Sequence, residues 1–137
     1  MKKKLRYMVV DDDATNNMIC EFIIKRFDKE ADIKIFAVPE EALAFINDDY
    51  GKTNVVVPTV LFLDVNMPTM TGWEFLDVFT QFEELLKDQF TIYILSSSIE
   101  DFTEEAEIYT CIQGFISKPL KINHLEEVMI IDGKRSC

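Results

Sequence analysis

The sequence contains few of the residues that build crosslinked or membrane-spanning proteins. Three cysteines, four glycines, four prolines and one histidine are spread over 137 residues. The cysteines lack metal-type spacing, so we expect reduced thiols in a cytoplasmic protein and no disulfide framework. The longest nearly apolar run, Val55–Leu63, is interrupted by Pro58 and is far shorter than the roughly 20 residues of a membrane-spanning helix.

Positive charge is also scarce. Fourteen Lys and Arg stand against twenty-five Asp and Glu, which gives a formal net charge of -11. Such a charge repels phosphate backbones and anionic lipid, so we expect neither nucleic acid nor a membrane as a partner. Lys2–Lys4 resemble the basic start of a signal peptide, but Arg6 and the run Asp11–Asp13 interrupt the apolar stretch behind them. We therefore predict no export signal.

The length and composition favour one domain. A chain of 137 residues with 48% hydrophobic residues can bury a single compact core. No repeat or linker divides it, and only Asp132–Cys137 follow the last predicted helix. We expect a single domain over residues 1–137, with a core at about residues 5–131 and no output domain.

Strand-like runs alternate with helical segments along the whole chain. The predicted strands are Leu5–Val10, Ile33–Phe36, Thr59–Leu63, Thr91–Leu95 and Gly114–Ser117. The predicted helices are one from Ala14, then Glu40–Asp48, Gly72–Lys87, Glu100–Cys111 and a last one from Ile122. Parallel strands need such crossovers, and each crossover helix covers one sheet face, so the alternation predicts a three-layer α/β domain.

The first helix has its own apolar pattern. Ile19, Phe22, Ile23 and Phe27 recur at helical spacing, so we expect that face to be buried. Asp13, just before Ala14, fits the N-cap position. The stretch Asn47–Pro58 is expected to be irregular.

Polar residues directly follow four of the five predicted strands. The run Asp11–Asp13 follows the first strand, Asp64 the third, Ser96 the fourth and Lys118 the fifth. In an open parallel sheet, ligands bind outside the carboxyl ends of the strands. We therefore expect these side chains to gather at one edge.

The gathered residues favour phosphoryl transfer at a magnesium site. Several carboxylates at one edge repel one another unless protons or a divalent cation offset their charge. Magnesium suits one or two carboxylates and keeps water in its other positions, whereas no calcium-type loop is present. Beside a lysine and a serine, such a metal suits an incoming phosphoryl group, and Asp64 could be the nucleophile.

Four segments of the sequence resemble one family of signalling domains. They are Val9–Asp13, Leu63–Pro68 with Gly72, Leu95–Ser97 and Phe115–Pro119. In this order and at these strand ends they are similar to the receiver domain of two-component response regulators, in particular to single-domain receivers of the chemotaxis type. The resemblance covers nearly the whole chain. It implies a flavodoxin-like, doubly wound sheet of five parallel strands in the order 2-1-3-4-5, with helices on both faces.

The resemblance implies a role for each carboxylate at the edge. Asp64 would accept a phosphoryl group from a sensor histidine kinase or a histidine phosphotransfer protein and become an aspartyl phosphate. Asp12 would hold Mg²⁺ directly and Asp11 largely through water. Asp64 and the backbone carbonyl of Asn66 would complete the metal site.

It also implies the residues that respond to phosphorylation. Ser96 would hydrogen-bond one phosphoryl oxygen and Lys118 would pair with another. Phe115 would rotate inward as the coupled aromatic, and Pro119 would follow a cis peptide bond. The phosphorylated domain would act on a downstream protein that the sequence does not identify. Dimerisation on phosphorylation stays an open alternative.

Three other functions compete with this interpretation. An aspartate-nucleophile phosphatase needs a second Asp two residues after the nucleophile, where this chain has Asn66. A flavin carrier needs a Gly- and Ser/Thr-rich phosphate loop after the first strand, where Asp11–Asp13 stand. A scaffold that has lost phosphorylation is opposed only by the full set of site residues. We therefore expect a phosphoacceptor that catalyses only its own phosphorylation and dephosphorylation.

Overall fold

The computed structural model describes residues 5–51, 56–97 and 102–134, with side chains as far as Val128. Its centre is one sheet of five strands, and all four pairs of neighbouring strands are parallel. The strands are β1 (Arg6–Val10), β2 (Asp32–Phe36), β3 (Thr59–Leu63), β4 (Phe90–Ser96) and β5 (Ile112–Ser117). Their order, β2-β1-β3-β4-β5, confirms the predicted doubly wound topology.

Helices cover both faces of this sheet. They are α1 (Ala14–Phe27), α2 (Pro39–Gly51), α3 (Gly72–Phe79), α4 (Glu84–Lys87), α5 (Thr103–Ile108) and α6 (Ile122–Lys134). Side chains alternate across each strand, so Met8 and Val10 pack with α2 and α3, whereas Tyr7 and Val9 pack with α1 and α6. None of these helices, as far as the chain is described, has the length and apolar character that crossing a bilayer requires.

The predicted buried face of α1 is wrong for Ile19 and Phe22 and is partly confirmed for Ile23 and Phe27. Ile19 and Phe22 are exposed, and Phe22 keeps 61% of its surface accessible. The residues that face the sheet are instead Asn16, Asn17, Cys20 and Ile24, with Ile23 and Phe27 packed at the margin. The helix is rotated because the two asparagines bond to Asp11 at the end of β1 and hold their side of α1 inward. The predicted N-cap is confirmed, since the Asp13 carboxylate accepts the backbone N–H groups of residues 15 and 16.

The predicted long helix Gly72–Lys87 is divided in two. Helix α3 ends at Phe79, and a turn leads into the single-turn helix α4. The Lys87 ammonium donates to the Thr80 carbonyl, which fastens α4 back onto the end of α3. Phe82, which lies beyond the end of α3, still packs edge-on against Phe79, at 6.0 Å between ring centroids. Its apolar side chain therefore continues the helical spacing in the sequence although the helix itself has ended.

Two other helices differ from the prediction by several residues, whereas the strands shift by at most two residues at their ends. Helix α2 extends to Gly51, so the first part of the predicted irregular stretch Asn47–Pro58 is helical, and residues 52–55 lie outside the described chain. The predicted helix Glu100–Cys111 is reduced to α5, with residues 98–101 outside the described chain. It ends early because the backbone turns at Tyr109, whose carbonyl accepts the N–H of Ile112 at the start of β5.

Candidate functional site

The parallel sheet places the predicted site residues at one edge. Val10 pairs with Leu63, so Asp11 and Asp64 emerge side by side from β1 and β3. The backbone N–H of Asp64 donates to the carbonyl of Val10 at 3.0 Å, so the hydrogen bonding between β1 and β3 continues up to the site. Ser96 is the last residue of β4, and its carbonyl accepts the N–H of Lys118 at 2.9 Å.

Three carboxylates converge at this edge. Asp11, Asp12 and Asp64 each offer an oxygen, and these oxygens lie within 4.8 Å of one another. Asp11 and Asp64 are buried, whereas Asp12 is exposed. The cluster therefore combines two carboxylates fixed in the protein with one that faces solvent.

Lys118 is the cation of the site, and it is shared unequally. Its Nζ lies 2.7 Å from Asp11 Oδ2 and 3.5 Å from Asp64 Oδ1. The strong charge-assisted contact is the shorter one, since such pairs have nitrogen–oxygen distances of about 2.7–2.9 Å. One oxygen of Asp64 is thus only loosely held by the ammonium.

The electrostatic surroundings make Asp64 unusually basic. Burial raises the pKa of Asp64 to about 6, the negative charge of Asp11 adds to this effect, and Lys118 opposes it. A carboxylate of higher pKa is a better nucleophile, and it is still ionised at neutral pH. Burial acts to lower the pKa of Lys118, but the hydrogen bond and charge of Asp11 outweigh burial, and the pKa is raised. Lys118 therefore keeps its charge.

The donor set fits a hard divalent cation. Three carboxylates face one ammonium, so the ionised cluster carries excess negative charge. Carboxylate oxygens are the ligands that Mg²⁺ prefers, and the exposed position of Asp12 leaves room for coordinated water. Asp11, Asp12 and Asp64 are the residues that could hold such an ion.

The other predicted site residues lie at or near the ends of β3, β4 and β5. Ser96 is buried at 3% exposure, while Asn66 is exposed two residues beyond Asp64. The Phe115 ring stacks on Phe102, at 5.5 Å between centroids. The Lys118–Pro119 peptide bond is cis, as the resemblance implies.

Two further residues, neither of which was predicted from the sequence as a site residue, bind Asp11. The side-chain amide of Asn16 donates to Asp11 Oδ2 at 2.8 Å, and that of Asn17 donates to the Asp11 carbonyl at 2.8 Å. Both asparagines are buried in the first turn of α1. A sequence signal does exist, since two adjacent amides where a helix meets a sheet need polar partners.

Comparisons with known proteins identify the family. The family model of the response regulator receiver domain matches residues 7–130. No curated protein matches the chain at a significant level. A two-component response regulator from Cytophaga hutchinsonii is 25% identical with a TM-score of 0.85, and the match covers 98% of this chain and 100% of that one.

Two more distant structures share the fold. A response regulator receiver protein from Dyadobacter fermentans is 22% identical with a TM-score of 0.80, covering 96% of this chain and 99% of that one. The chemotaxis protein CheY4 from Vibrio cholerae is 23% identical with a TM-score of 0.68, and the match covers 93% of this chain and 97% of that one.

The chain belongs to the response regulator receiver family. Receiver domains are signalling proteins of two-component systems. They generally bind Mg²⁺ at an acidic pocket, accept a phosphoryl group and interact with histidine kinases or phosphotransfer proteins and with downstream targets. The acidic cluster at the carboxyl edge of this sheet is in keeping with that class.

Proposed function

We propose that this protein is a phosphorylation-controlled switch in which Asp64 accepts a phosphoryl group from a phosphohistidine of a sensor kinase or phosphotransfer protein. The main support is the placement of the Asp64 carboxyl, which is buried beside Asp11 and has one oxygen loosely held, 3.5 Å from the Lys118 ammonium. When bound, Mg²⁺ would supply positive charge to the oxygens of the transferring group.

The chain's own residues would carry out the remaining steps. A carboxylate oxygen of Asp64 forms a bond to phosphorus as the bond from phosphorus to the donor nitrogen breaks, and that electron pair returns to the histidine ring. Asp12 would hold the cation directly and Asp11 largely through water, with Asp64 and the carbonyl of Asn66 as further ligands. Lys118 then moves from Asp11 toward the phosphoryl oxygens, because three charged oxygens attract the ammonium more strongly than one carboxylate.

The aromatic residues beside the site would pass the signal to the surface. Ser96 binds a phosphoryl oxygen, and Phe115 leaves its stacking position on Phe102. Phe102 in turn contacts Trp73, at 5.4 Å between centroids, and Trp73 stacks on Tyr109 at the end of α5. Helix α5 has no buried residue of its own, so these flanking rings fix its position. A downstream protein would read the change.

We also propose that the chain works as a stand-alone receiver. The family match extends over residues 7–130, and the aligned Cytophaga hutchinsonii chain is covered completely. The mass of the polypeptide purified from its native cells tests this proposal. A longer polypeptide that carries a second domain would contradict it.

Intact mass spectrometry tests the phosphoryl transfer. The native chain, Asp64→Asn and the exposed-site control Asp88→Asn are incubated with Mg²⁺ and either acetyl phosphate or a phosphorylated histidine phosphotransfer protein. We expect one phosphoryl adduct on the native chain and on Asp88→Asn, none on Asp64→Asn, and none in the presence of chelator. A folded native chain that gains no adduct from either donor would overturn the proposal.

A further inference from the structure

Asn16 is a buried polar residue with a specific partner in the acidic cluster. It lies in the first turn of α1, is 5% exposed and donates its side-chain amide to Asp11 Oδ2 at 2.8 Å. The same nitrogen lies 3.7 Å from the sulfur of Cys20, one turn further along the helix. Burial raises the pKa of the Cys20 thiol to about 12, so this neighbour stays neutral and offers only a weak second contact.

In residues 5–51, 56–97 and 102–134, three donors hold the Asp11 carboxylate. Its Oδ1 accepts the backbone N–H of Asp13 at 2.9 Å, and its Oδ2 accepts both Asn16 and Lys118. Asp11 is 1% exposed, so water cannot replace a lost donor without entering the core. Of the two groups on Oδ2, Lys118 has a flexible stem and a second partner in Asp64, whereas Asn16 is fixed to a helix.

The two donors on Oδ2 therefore have different consequences for the site. If Asn16 were absent, Lys118 would be the only donor to that oxygen among the residues that the structure describes, and the carboxylate would follow the movements of the ammonium. With Asn16 present, the plane of the carboxylate stays fixed when Lys118 turns toward Asp64. The oxygens that face the other carboxylates then keep their positions.

We propose that Asn16 is a positioning residue for the divalent cation. Its amide fixes the Asp11 carboxylate in the orientation that the metal site needs. Lys118 can then turn toward Asp64 without releasing that carboxylate. This inference rests on the metal site of the proposed function, because it assigns the cluster to a divalent cation, and it does not depend on the phosphoryl transfer. Partners that orient metal-binding carboxylates commonly change metal affinity by about 10- to 100-fold when removed.

Asn17 provides a matched control within the same turn. It is also buried, at 7% exposure, and its amide also donates to Asp11 at 2.8 Å. Its acceptor, however, is the backbone carbonyl of Asp11 and not the carboxylate. Replacing either asparagine removes one buried amide beside Asp11, but only Asn16→Ala releases the carboxylate.

Calorimetric titration with magnesium chloride tests the inference on the full chain. We expect the Mg²⁺ dissociation constant to rise about 10-fold or more in Asn16→Ala and to change less than about threefold in Asn17→Ala. If Asn16→Ala does not fold, Asn16→Ser replaces it: its hydroxyl lies closer to the main chain than the lost amide, so the hydrogen bond to Asp11 is weakened and a dissociation constant above that of the native chain is expected. An unchanged constant for the folded Asn16 variant, or an equal loss in Asn17→Ala, overturns the inference.

The phosphoryl adduct separates this inference from the proposed function. If the native chain binds Mg²⁺ and Asn16→Ala binds it more weakly, but no adduct forms, the proposed function fails and the positioning role stands. If the adduct forms and the Asn16 variant binds Mg²⁺ normally, only the positioning role fails. A native chain that binds no Mg²⁺ contradicts the positioning role directly.

Discussion

A β-carbon on Gly72 would lie 2.5 Å from the backbone oxygen of Asp64. The contact is with backbone, which cannot give way as a flexible side chain can. We expect Gly72→Ala to displace α3 from the end of β3, lower the free energy of unfolding by about 1–3 kcal/mol and reduce the phosphoryl adduct. Urea unfolding and intact mass measure the two effects.

Gly51, the last residue of α2, is the control for this substitution. A β-carbon there would meet no atom within 4 Å. Alanine also favours helix over glycine by roughly 1 kcal/mol in a helix interior, so Gly51→Ala should be neutral or slightly stabilising. Equal effects of the two substitutions would show that the close approach at Gly72 has no energetic consequence.

The raised pKa of Asp64 gives a definite pH dependence in the metal-free protein. The folded state holds this proton up to about pH 6, whereas an ordinary aspartate loses it near 3.8. Because the folded state then binds more protons between these values, the Asp64 contribution to stability falls as the pH rises from about 4 to about 6. We expect Asp64→Asn to be more stable than the native chain at pH 7 by about 1–3 kcal/mol.

Urea unfolding from pH 4 to pH 8 in the presence of chelator measures this difference. The other carboxylates titrate in both proteins, so the difference between them isolates Asp64. It should shrink as the pH falls toward 4, because Asp64 is then protonated in the folded state and increasingly protonated in the unfolded state. A difference that does not vary with pH would contradict the raised pKa.

Arg6 joins β1 to β2 and α2 at the opposite end of the sheet. Its Nε lies 2.8 Å from Asp32, and its Nη1 lies 3.0 Å from Asp49 and 3.2 Å from the Tyr50 hydroxyl. The Arg6 side chain is only 12% exposed. We expect Arg6→Met to keep the aliphatic packing and to lower the free energy of unfolding by about 1–3 kcal/mol, because charged hydrogen bonds are lost in a shielded place.

Lys34→Met is the matched control for Arg6→Met. Lys34 approaches the same Asp32 carboxylate only at 3.9 Å, and its side chain is 40% exposed. Exposed ion pairs contribute between about 0 and 1 kcal/mol, so the change in unfolding free energy should be small. If Lys34→Met lowered the free energy of unfolding as much as Arg6→Met, the stabilisation would come from neutralising the charge of Asp32 and not from the shielded hydrogen bonds of Arg6.

Trp73 offers an optical test of the aromatic contacts beside the site. It is the only tryptophan in the chain, and its ring lies 5.6 Å from that of Tyr109 at an interplanar angle of 18°. We expect its fluorescence to change when phosphodonor and Mg²⁺ are added, because movement of Phe115 releases Phe102 from the Trp73 edge. Most of this change should be lost in Phe102→Leu.

Two variants serve as controls for the fluorescence. Phe22→Leu alters an exposed aromatic on α1, away from this group of rings, and should leave the change intact. Asp64→Asn should show no change at all. A fluorescence change that persists in Asp64→Asn or in Phe102→Leu would contradict the proposed route from Asp64 through Phe115 and Phe102 to Trp73.

The sequence was sufficient to predict the sheet and the place of the site. Alternating strands and helices favour parallel pairing, and parallel strands bring the residues after their carboxyl ends to one edge. The strand order that makes β1, β3, β4 and β5 neighbours was implied by the resemblance to receiver domains. For this reason Asp11, Asp64 and Lys118 could be expected together although more than a hundred residues separate the first from the last. The roles of these residues stay predictions until the measurements above are made.

Helical periodicity could not settle how α1 lies on the sheet. Two overlapping stripes compete on this helix, one with Ile19 and Phe22 and one with Cys20 and Ile24. The choice depends on contacts with distant residues, and the bonds from Asn16 and Asn17 to Asp11 favour the more polar stripe. Likewise, apolar spacing persists across the turn after Phe79, so the pattern alone did not show where α3 ends.

The sequence by itself thus determined the order of elements and the chemical groups at the sheet edge, because both follow from local patterns and the geometry of parallel strands. Only the tertiary structure decided how those groups share their bonds. Lys118 lies closer to Asp11 than to Asp64, and Asn16 binds the same oxygen of Asp11. Such distances depend on the rotamers and burial of side chains that meet only when the chain is folded, and no spacing along the sequence specifies them.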